Sequence, residues 1–288
     1  MALRVLDEIA LPGGNVNEDR IGATQFDQGA AAWVIDGATG LADRELVPEG
    51  PTDAAWLAEH LSRLLASIDP ADRPPRAYFR GLIEELAGRY RAVVPAIDTV
   101  PPYALPSAAA MWLRHAGTRI ELAWQGDCVA VVGLPDRALV FGAPDDPVWE
   151  DGINRVVEER LTRSPHLEQS LLTVLSPELR ARRARLNQPD GYWMLGIDPR
   201  AADAMETAVL DLVASTPILL VSDGLWRLVQ PFRQYDAAEL LEAARHRGLE
   251  ALMGELRALE AADAECRRVP RVKARDDASG MLLEIAPD

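Results

Sequence analysis

Cysteine is scarce in this sequence of 288 residues, which contains Cys128 and Cys266 and no others. Two cysteines provide no disulfide framework, so a disulfide-stapled secreted domain is excluded. Long apolar runs are also missing. No stretch approaches the roughly 18 apolar residues of a membrane span, and the N-terminus lacks the apolar core of a signal peptide. We therefore expect a soluble, cytoplasmic protein with no membrane partner.

Positive charge and histidine are in deficit as well. The chain has 30 Lys and Arg residues against 45 Asp and Glu, which gives a net charge of −15. Such an acidic chain is not expected to bind nucleic acid or anionic membranes. The four histidines form no pair at metal-ligand spacing and stand at positions 60, 115, 166 and 246. A zinc site built on histidine is therefore disfavoured.

The most informative stretch is AAAWVIDGATG at positions 30–40. Its apolar residues run through Ile35 and stop at Asp36 and Gly37. This pattern is typical of a buried strand that delivers one carboxylate to its exposed end. Asp36 is therefore the first candidate metal ligand. Asp-Gly is also an ordinary turn sequence, so this stretch alone leaves both interpretations open.

Four other segments place acids beside an apolar run. They are Asn17-Glu18-Asp19, IELAWQGDC at 120–128, ILLVSDG at 218–224, and Asp276-Asp277 before the apolar run 281–285. If these acids are neighbours in space, so many like charges need cations to neutralise them. Oxygen ligands without histidine or thiolate favour Mg²⁺ or Mn²⁺. Each acid also has the simpler interpretation of a turn, cap or solvated loop residue.

The periodicity of the chain predicts a mixed α+β fold with short connections and mainly antiparallel strands. The predicted strands are 3–10, 21–26, 31–35, three or four runs within 105–141, 192–197, 208–213, 218–221 and 281–285. Thr52 and Pro74-Pro75 are predicted to open two amphipathic helices. Asp236 is predicted to open a third helix that stops at Gly248, with a fourth helix after it.

The sequence predicts one domain over residues 1–288, because the acidic segments are scattered from end to end and must converge. The composition is 48% hydrophobic and 26% charged, which supplies ample material for a core. Residues 143–152 are predicted to be a loop, and 153–186 to be helical and rich in arginine. Neither internal repeats nor low-complexity segments are present.

In their order, the motifs resemble those of a known family. The series NED (17–19), VIDGATG (34–40), GDC (126–128), VSDG (221–224) and DDAS (276–279) is similar to that of the metal-dependent type 2C, or PPM, serine/threonine protein phosphatases, particularly their bacterial branch. The resemblance spans residues 17–285. It implies a four-layer α-β-β-α sandwich, with two central, mainly antiparallel sheets flanked by helix pairs. It also implies an arginine-rich flap insertion at about 143–190.

The same resemblance implies a site for two divalent cations, Mn²⁺ or Mg²⁺. Asp36 would bridge both ions, and the carbonyl group of Gly37 would bind one of them. Asp223 and Asp276 would complete the first ion's site. A water molecule between two such ions can attack phosphorus in line, so no protein nucleophile is required. Asp36 and Asp223 are the residues on which catalysis is expected to depend.

The second ion's site would be completed by the NED motif, through either Glu18 or Asp19. Asp127 matches an acid that helps to hold a weaker third ion in bacterial members of the family. Ser107 and Ser222 are the serines considered as possible nucleophiles. Neither lies in a GxSxG elbow, so a serine nucleophile is disfavoured.

The sequence also departs from the family. Gly14 stands where these phosphatases usually carry the arginine that grips the substrate phosphate. The GDSR motif has become Asp127-Cys128-Val129, and the usual Gly-Ser/Thr-Thr-Ala strand has become 106–109, Pro-Ser-Ala-Ala. We hypothesise that another arginine binds the phosphate. The candidates are Arg20 and four arginines of the flap segment, Arg180, Arg182, Arg183 and Arg185. The alternative interpretation is that these arginines occupy solvated helix positions.

These features predict a monomeric phosphatase acting on phosphoserine or phosphothreonine in proteins that a serine/threonine kinase has modified. Two alternatives remain open. The same metal chemistry would suit a non-protein phosphoester, and a catalytically inactive relative would bind a phosphorylated partner. A basic run, Arg267 to Arg275, would either dock an acidic partner or balance the adjacent carboxylates.

Overall fold

The computed structural model describes residues 2–27, 29–42, 44–48, 50–142, 155–159, 161–162, 171–212 and 215–286. The strands in this part of the chain are β1 Ala2–Leu11, β2 Arg20–Phe26, β3 Gly29–Ala38, β4 Ser107–Ala116, β5 Arg119–Gln125, β6 Val129–Gly133, β7 Ala138–Phe141, β8 Glu206–Asp211, β9 Thr216–Val221 and β10 Ala278–Ala286. The α-helices are α1 Asp53–Ser67, α2 Pro75–Val93, α3 Leu171–Val174, α4 Ser176–Arg183, α5 Asp223–Trp226, α6 Ala237–Arg247 and α7 Leu249–Ala262.

The strands form two five-stranded sheets. The first sheet has the order β2-β3-β4-β5-β8, and the second has the order β1-β10-β9-β6-β7. Every neighbouring pair is antiparallel. Antiparallel pairs need only short connections, which is why the tight turns between the predicted strands were informative.

Alternation along β3 explains how the layers stack. Trp33 and Ile35 pack towards α1 and α2, whereas Ala32 and Val34 face the second sheet. Successive side chains of a strand point to opposite faces, so a strand covered on both sides is apolar throughout. In the second sheet, Leu219 and Val221 face α6 and α7. The result is a four-layer α-β-β-α sandwich, and the fold prediction is confirmed.

The predicted helix starts are also confirmed. Thr52 caps α1, because its side chain accepts a hydrogen bond from the backbone N–H of Ala55. Asp236 and Glu239 form a reciprocal capping box at the start of α6. Gly248 follows α6 with φ of 79°, a conformation that favours glycine. None of the helices in the described ranges combines the length and apolarity needed to cross a bilayer.

The predicted strand at 192–197 is wrong. Tyr192 and Leu195 form only isolated bridges, to Leu186 and Ala108 respectively. Strand β5 ends at Gln125, opposite residue 110 of β4, so the start of β4 is left with Leu195 as its neighbour. The predicted loop 143–152 lies outside the described residues. Of the predicted helical region 153–186, the structure describes 155–159, 161–162, α3 and α4.

Candidate metal centre

The predicted acids lie at one end of the sandwich, where connections from both sheets meet. Asp36 is near the end of β3, opposite Ala109 of β4. Ile35 faces the helices, so Asp36 points between the sheets. Asp19 immediately precedes β2, and Asp223 follows β9. Asp127 lies in the connection between β5 and β6, so both sheets contribute carboxylates to one region.

Asp36 and Asp223 are in direct contact. Burial raises the pKa of Asp36 well above its ordinary value, and the negative charges of Asp223, Asp19 and Asp127 raise it further. Burial also raises the pKa of Asp223, and the nearby charge of Asp276 adds to this effect. The hydrogen bond between the two carboxyl groups raises the pKa of Asp36 and lowers that of Asp223. Two buried carboxyl groups this close do not both ionise unless a cation neutralises them.

Asp19 is almost completely buried, with 1% of its surface exposed. The hydroxyl group of Ser222 donates a hydrogen bond of 2.8 Å to its Oδ2. Its Oδ1 is buried and has no hydrogen-bond partner among the described residues. Burial raises the pKa of Asp19 to about 7, against the opposing effect of the hydroxyl groups of Ser279 and Ser222. An unpaired buried carboxylate oxygen is costly unless a cation or proton reaches it.

Glu18 points elsewhere. Its Oε1 accepts a hydrogen bond of 2.6 Å from the hydroxyl of Thr52, the residue that caps α1, and another from the hydroxyl of Thr39. Its backbone N–H donates to Asp277 over 2.6 Å. Glu18 therefore links the NED motif to the start of α1 and to the DDAS motif, while Asp19 faces the other carboxylates.

Asp276 is the acid whose charge is balanced by neighbouring basic side chains. Its Oδ2 accepts a 2.8 Å hydrogen bond from Arg227 Nη2, and its Oδ1 accepts a 2.6 Å hydrogen bond from Lys273 Nζ. Burial alone would raise the pKa of Asp276, but Lys273 and Arg227 hold it below its ordinary value. Arg227 is braced from behind by Glu260, a fully buried acid 3.0 Å away. This ion network joins α5, α7 and the loop before β10.

The glycines of the two Asp-Gly pairs allow the motif loops to approach each other closely. A Cβ atom on Gly37 would lie 2.7 Å from the carbonyl oxygen of Glu18, and one on Gly224 would overlap the carbonyl oxygen of Asp277. Only glycine fits such positions without moving the neighbouring backbone. These Asp-Gly pairs are therefore contact points between motifs as well as turns.

Several carboxylates in this region are paired with a neighbouring side chain. In the described part of the chain, no three acidic, histidine or cysteine side chains stand together as a ready-formed metal-binding group. The contacts explain this result, because Asp36 bonds to Asp223 while Asp276 bonds to Lys273 and Arg227. The neighbouring Cys128 is fully buried, and burial followed by the aspartate charges raises the pKa of its thiol.

No protein-family model matches the sequence, and no curated protein sequence matches it. Solved structures do match. The M. tuberculosis serine/threonine phosphatase PstP/Ppp is 16% identical, with 100% of each chain covered and a TM-score of 0.57. The S. agalactiae serine/threonine phosphatase is 13% identical, covering 98% of this chain and 99% of its own, with a TM-score of 0.56. The chain has the fold of the bacterial serine/threonine phosphatases. A structure of the PstP catalytic domain in complex with two manganese ions is also similar, at 16% identity, 99% coverage of each chain and a TM-score of 0.55.

Within this phosphatase fold, Arg20 faces away from the carboxylates. It pairs in register with Ile35, on the side of the first sheet that packs against the helices. Its guanidinium donates to Glu59 over 2.7 Å and to the backbone carbonyls of Asn17 and Asp19. The structure thus places the predicted phosphate-binding head of Arg20 against α1.

Among the four arginines at 180–185, Arg183 contacts the loop that follows Asp36. Its Nη2 donates to the carbonyl oxygen of Ala38 over 2.7 Å and to Ser107 Oγ over 2.6 Å, while Nη1 donates to the carbonyl oxygen of Thr39. Burial lowers the pKa of Arg183. Arg180 and Arg182 lie instead over the rings of Tyr103 and Tyr192, and Arg185 donates to the carbonyl oxygen of Asp190.

The sequence analysis missed Arg227, Glu260 and Lys273 as members of the site. The one available signal was the basic run 267–275, for which balancing the adjacent carboxylates was one interpretation. Within this run, Lys273 pairs with Asp276, and Arg271 pairs with Asp263 over 2.7 Å. Gly13, beside the position where the resemblance expects an arginine, packs directly against the backbone of Asp276.

A cavity of about 450 Å³ lies outside this region. It opens at the far end of the first sheet, beside the turn between β4 and β5 and the loop 69–72. None of the predicted metal ligands lines it. The carboxylate region remains the best candidate for chemistry.

Proposed function

We propose that this protein is a divalent-metal-dependent phosphatase that hydrolyses phosphoserine and phosphothreonine in proteins. The observation that carries the proposal is the convergence of aspartates from five separated segments of the chain at one end of a phosphatase fold. Asp19, Asp127 and Asp223 act on the charge of Asp36, and Asp276 acts on that of Asp223. Buried carboxylates held this close need cations to ionise together.

The donor set fits divalent cations. Asp36, Asp223 and Asp276, with the carbonyl group of Gly37, would hold one ion, and Asp36 would reach the second. Asp19 suits the second ion better than Glu18, because its Oδ1 is unpaired whereas Glu18 bonds to two threonine hydroxyls. Carboxylate oxygens without histidine favour Mg²⁺ or Mn²⁺. Asp127 would contribute to a weaker third ion.

When bound, the ions would supply an activated water and neutralise the oxygens of the phosphate. The chain's own residues prepare the site. Burial raises the pKa values of Asp36 and Asp223, so both would have to lose their protons to bind cations. Ser222 fixes the orientation of Asp19, and Arg227 fixes one oxygen of Asp276. Fixed ligands of this kind lower the cost of assembling a charged site.

The comparisons support the coarser parts of this proposal. Two manganese ions occur in a structure of similar fold, so a pair of Mn²⁺ ions is our first choice of cofactor. Several similar structures carry the name serine/threonine phosphatase, so a phosphoprotein is our first choice of substrate. A partner serine/threonine kinase, a monomeric state and a cytoplasmic location remain predictions from the sequence.

The test is hydrolysis of p-nitrophenyl phosphate and of a phosphothreonine peptide, with Mn²⁺, with Mg²⁺ and with EDTA. Asp36→Asn and Asp223→Asn should abolish turnover. Asp211→Asn is the matched control, because it changes the same group at the exposed end of β8. Turnover of the small ester alone would indicate a non-protein substrate. If no metal supports turnover although calorimetry shows Mn²⁺ binding, the proposal fails and the protein is an inactive relative.

A further inference from the structure

Lys273 is the single lysine in this sequence; the other 29 of the 30 basic residues are arginines. It lies in the irregular segment between α7 and β10, three residues before Asp276. A lysine ammonium is a compact point charge on a flexible stem, unlike the planar guanidinium fork of arginine. The one lysine of the sequence therefore lies beside the carboxylate cluster.

The ammonium group lies among the acids that we propose as metal ligands. Its Nζ is 2.6 Å from Asp276 Oδ1. The charge of Asp276, and more weakly those of Asp36 and Asp223, raises the pKa of Lys273, so the group stays charged. The side chain is nevertheless 48% exposed to solvent. The Lys273 side chain therefore contacts a carboxylate and is also accessible from solvent.

The arginines around the cluster are committed to other partners. Arg227, with 10% of its side chain exposed, lies between Glu260 and Asp276. The guanidinium group of Arg183 donates hydrogen bonds to Ser107 and to two backbone carbonyl groups. Arg20 donates to Glu59 and to backbone carbonyls on the helix side of the first sheet. Lys273 combines a half-exposed side chain in an irregular segment with a direct contact to a proposed ligand, Asp276, which the exposed Arg275 of the same segment lacks.

We infer that Lys273 binds the phosphate group of the substrate, a phosphate monoester dianion, and rests on Asp276 when no phosphate is present. This inference rests on the proposed function. Cations bound by Asp276 would neutralise the carboxylate that now holds the ammonium. The ammonium is then attracted to the dianion, because an ionised phosphate oxygen accepts strong, charge-assisted hydrogen bonds. The stem of Lys273 can swing, whereas Arg227 is fixed by Glu260.

The kinetic test compares Lys273→Gln, Lys273→Arg and Arg275→Gln with the wild type. Arg275 is the matched control: it carries the same charge in the same segment, but its nearest acid is Glu260 at 3.9 Å. Lys273→Gln should raise KM for p-nitrophenyl phosphate and weaken inhibition by inorganic phosphate, each by about tenfold, as expected for one lost charge-assisted hydrogen bond. Lys273→Arg should recover part of both losses. Arg275→Gln should stay within about twofold of the wild type.

A second readout does not depend on turnover. Protein labelled with ¹⁵N-lysine contains one labelled side-chain amine, so its NMR signal reports on Lys273 alone. In the Mg²⁺-loaded protein, inorganic phosphate should shift this signal, and the Arg275→Gln variant should show the same shift.

The outcomes separate the inference from the proposed function. If the wild type hydrolyses the ester while Lys273→Gln keeps its KM and its phosphate inhibition, the inference is wrong. Tighter Mn²⁺ binding by that variant would then identify Lys273 as a counter-ion of the acids only. If the wild type hydrolyses nothing, the proposed function fails, and the phosphate titration of the lysine signal decides the inference by itself.

Discussion

The hydroxyl group of Ser222 donates a hydrogen bond of 2.8 Å to Asp19, although 203 positions separate the two residues in the sequence. The same oxygen accepts a hydrogen bond of 2.9 Å from the backbone N–H of Ser279. The backbone N–H of Ser222 also donates to the carbonyl oxygen of Ser279. One serine thus joins the NED, VSDG and DDAS motifs. Its hydroxyl serves to orient a carboxylate, in agreement with the absence of a nucleophile elbow.

Replacing Ser222 with alanine should weaken Mn²⁺ binding about tenfold and lower the free energy of unfolding by about 1–3 kcal/mol, because Asp19 Oδ2 loses the hydroxyl group that donates to it. Ser62→Ala is the control, since its hydroxyl accepts a 2.9 Å hydrogen bond from Trp33 on the helix side of the first sheet. The control should lose stability but keep its Mn²⁺ affinity. Calorimetric titration measures the affinity, and equal affinities for both variants would contradict the assigned role of Ser222.

The two acids of the NED motif should differ sharply when each is made neutral. Asp19→Asn should weaken Mn²⁺ binding by at least about tenfold, because it removes a buried ligand oxygen. Glu18→Gln should change Mn²⁺ affinity by less than about threefold and instead destabilise the start of α1, where Thr52 donates to Glu18. Parallel calorimetric and urea titrations measure both effects. The reverse ranking of affinities would make Glu18 the ligand.

The metal-free protein should become less stable as the pH rises from about 5 to 7. Burial raises the pKa of Asp19 to about 7, and burial with neighbouring aspartates raises that of Asp36. In this window the folded protein holds protons that the unfolded chain has released, so the free energy of unfolding falls, by about 2 kcal/mol from Asp19 alone. Acids whose pKa is lowered, such as Asp263 and Asp276, act below this window.

Urea titrations in EDTA at several pH values test this prediction. Asp19→Asn should flatten the slope, because an amide does not titrate. Saturating Mn²⁺ should remove or reverse it, since metal binding requires deprotonated carboxylates. A metal-free protein that gains stability between pH 5 and pH 7 would show that these carboxyl groups ionise normally.

Arg183→Ala should loosen the contact between α4 and the loop after β3. The change removes donors to the carbonyl groups of Ala38 and Thr39 and to Ser107. Such buried hydrogen bonds contribute roughly 1–3 kcal/mol when one partner is lost. Hydrogen exchange of residues 38–41 should rise markedly. Arg185→Ala, on the same helix end but exposed, should leave that exchange unchanged; equal exchange in both variants would refute the contact.

The sequence predicted the acidic ends of the strands because that pattern is local. An apolar run that stops at an acid, as before Asp36 and Asp223, is visible without knowing any partner. The direction of Arg20 was equally accessible. Arg20 follows Asp19 directly, and neighbouring residues of an extended chain point to opposite faces. Only one of these two side chains can therefore point between the sheets. The phosphate-binding role of Arg20 stays a prediction, and the alternation rule places its side chain on the helix side of the first sheet.

The ion network around Asp276 could not be predicted from a local sequence pattern. Arg227, Glu260 and Lys273 come from α5, α7 and an irregular segment, and their pairing depends on how these pieces meet in space. No period or spacing in the sequence encodes that meeting. The wrong prediction of a strand at 192–197 has a similar cause. Whether these residues pair as a strand depends on where β5 ends rather than on their own side chains.

The solitary lysine also determines how the protein responds to amine chemistry. Acetylation, carbamylation or any other acylation of lysine side chains has one target in these 288 residues, half exposed and in contact with Asp276. In most proteins such modifications are spread over the surface and average out. Here a single acyl group would remove the ammonium charge from the carboxylate cluster, so the extent of labelling would directly count the altered sites.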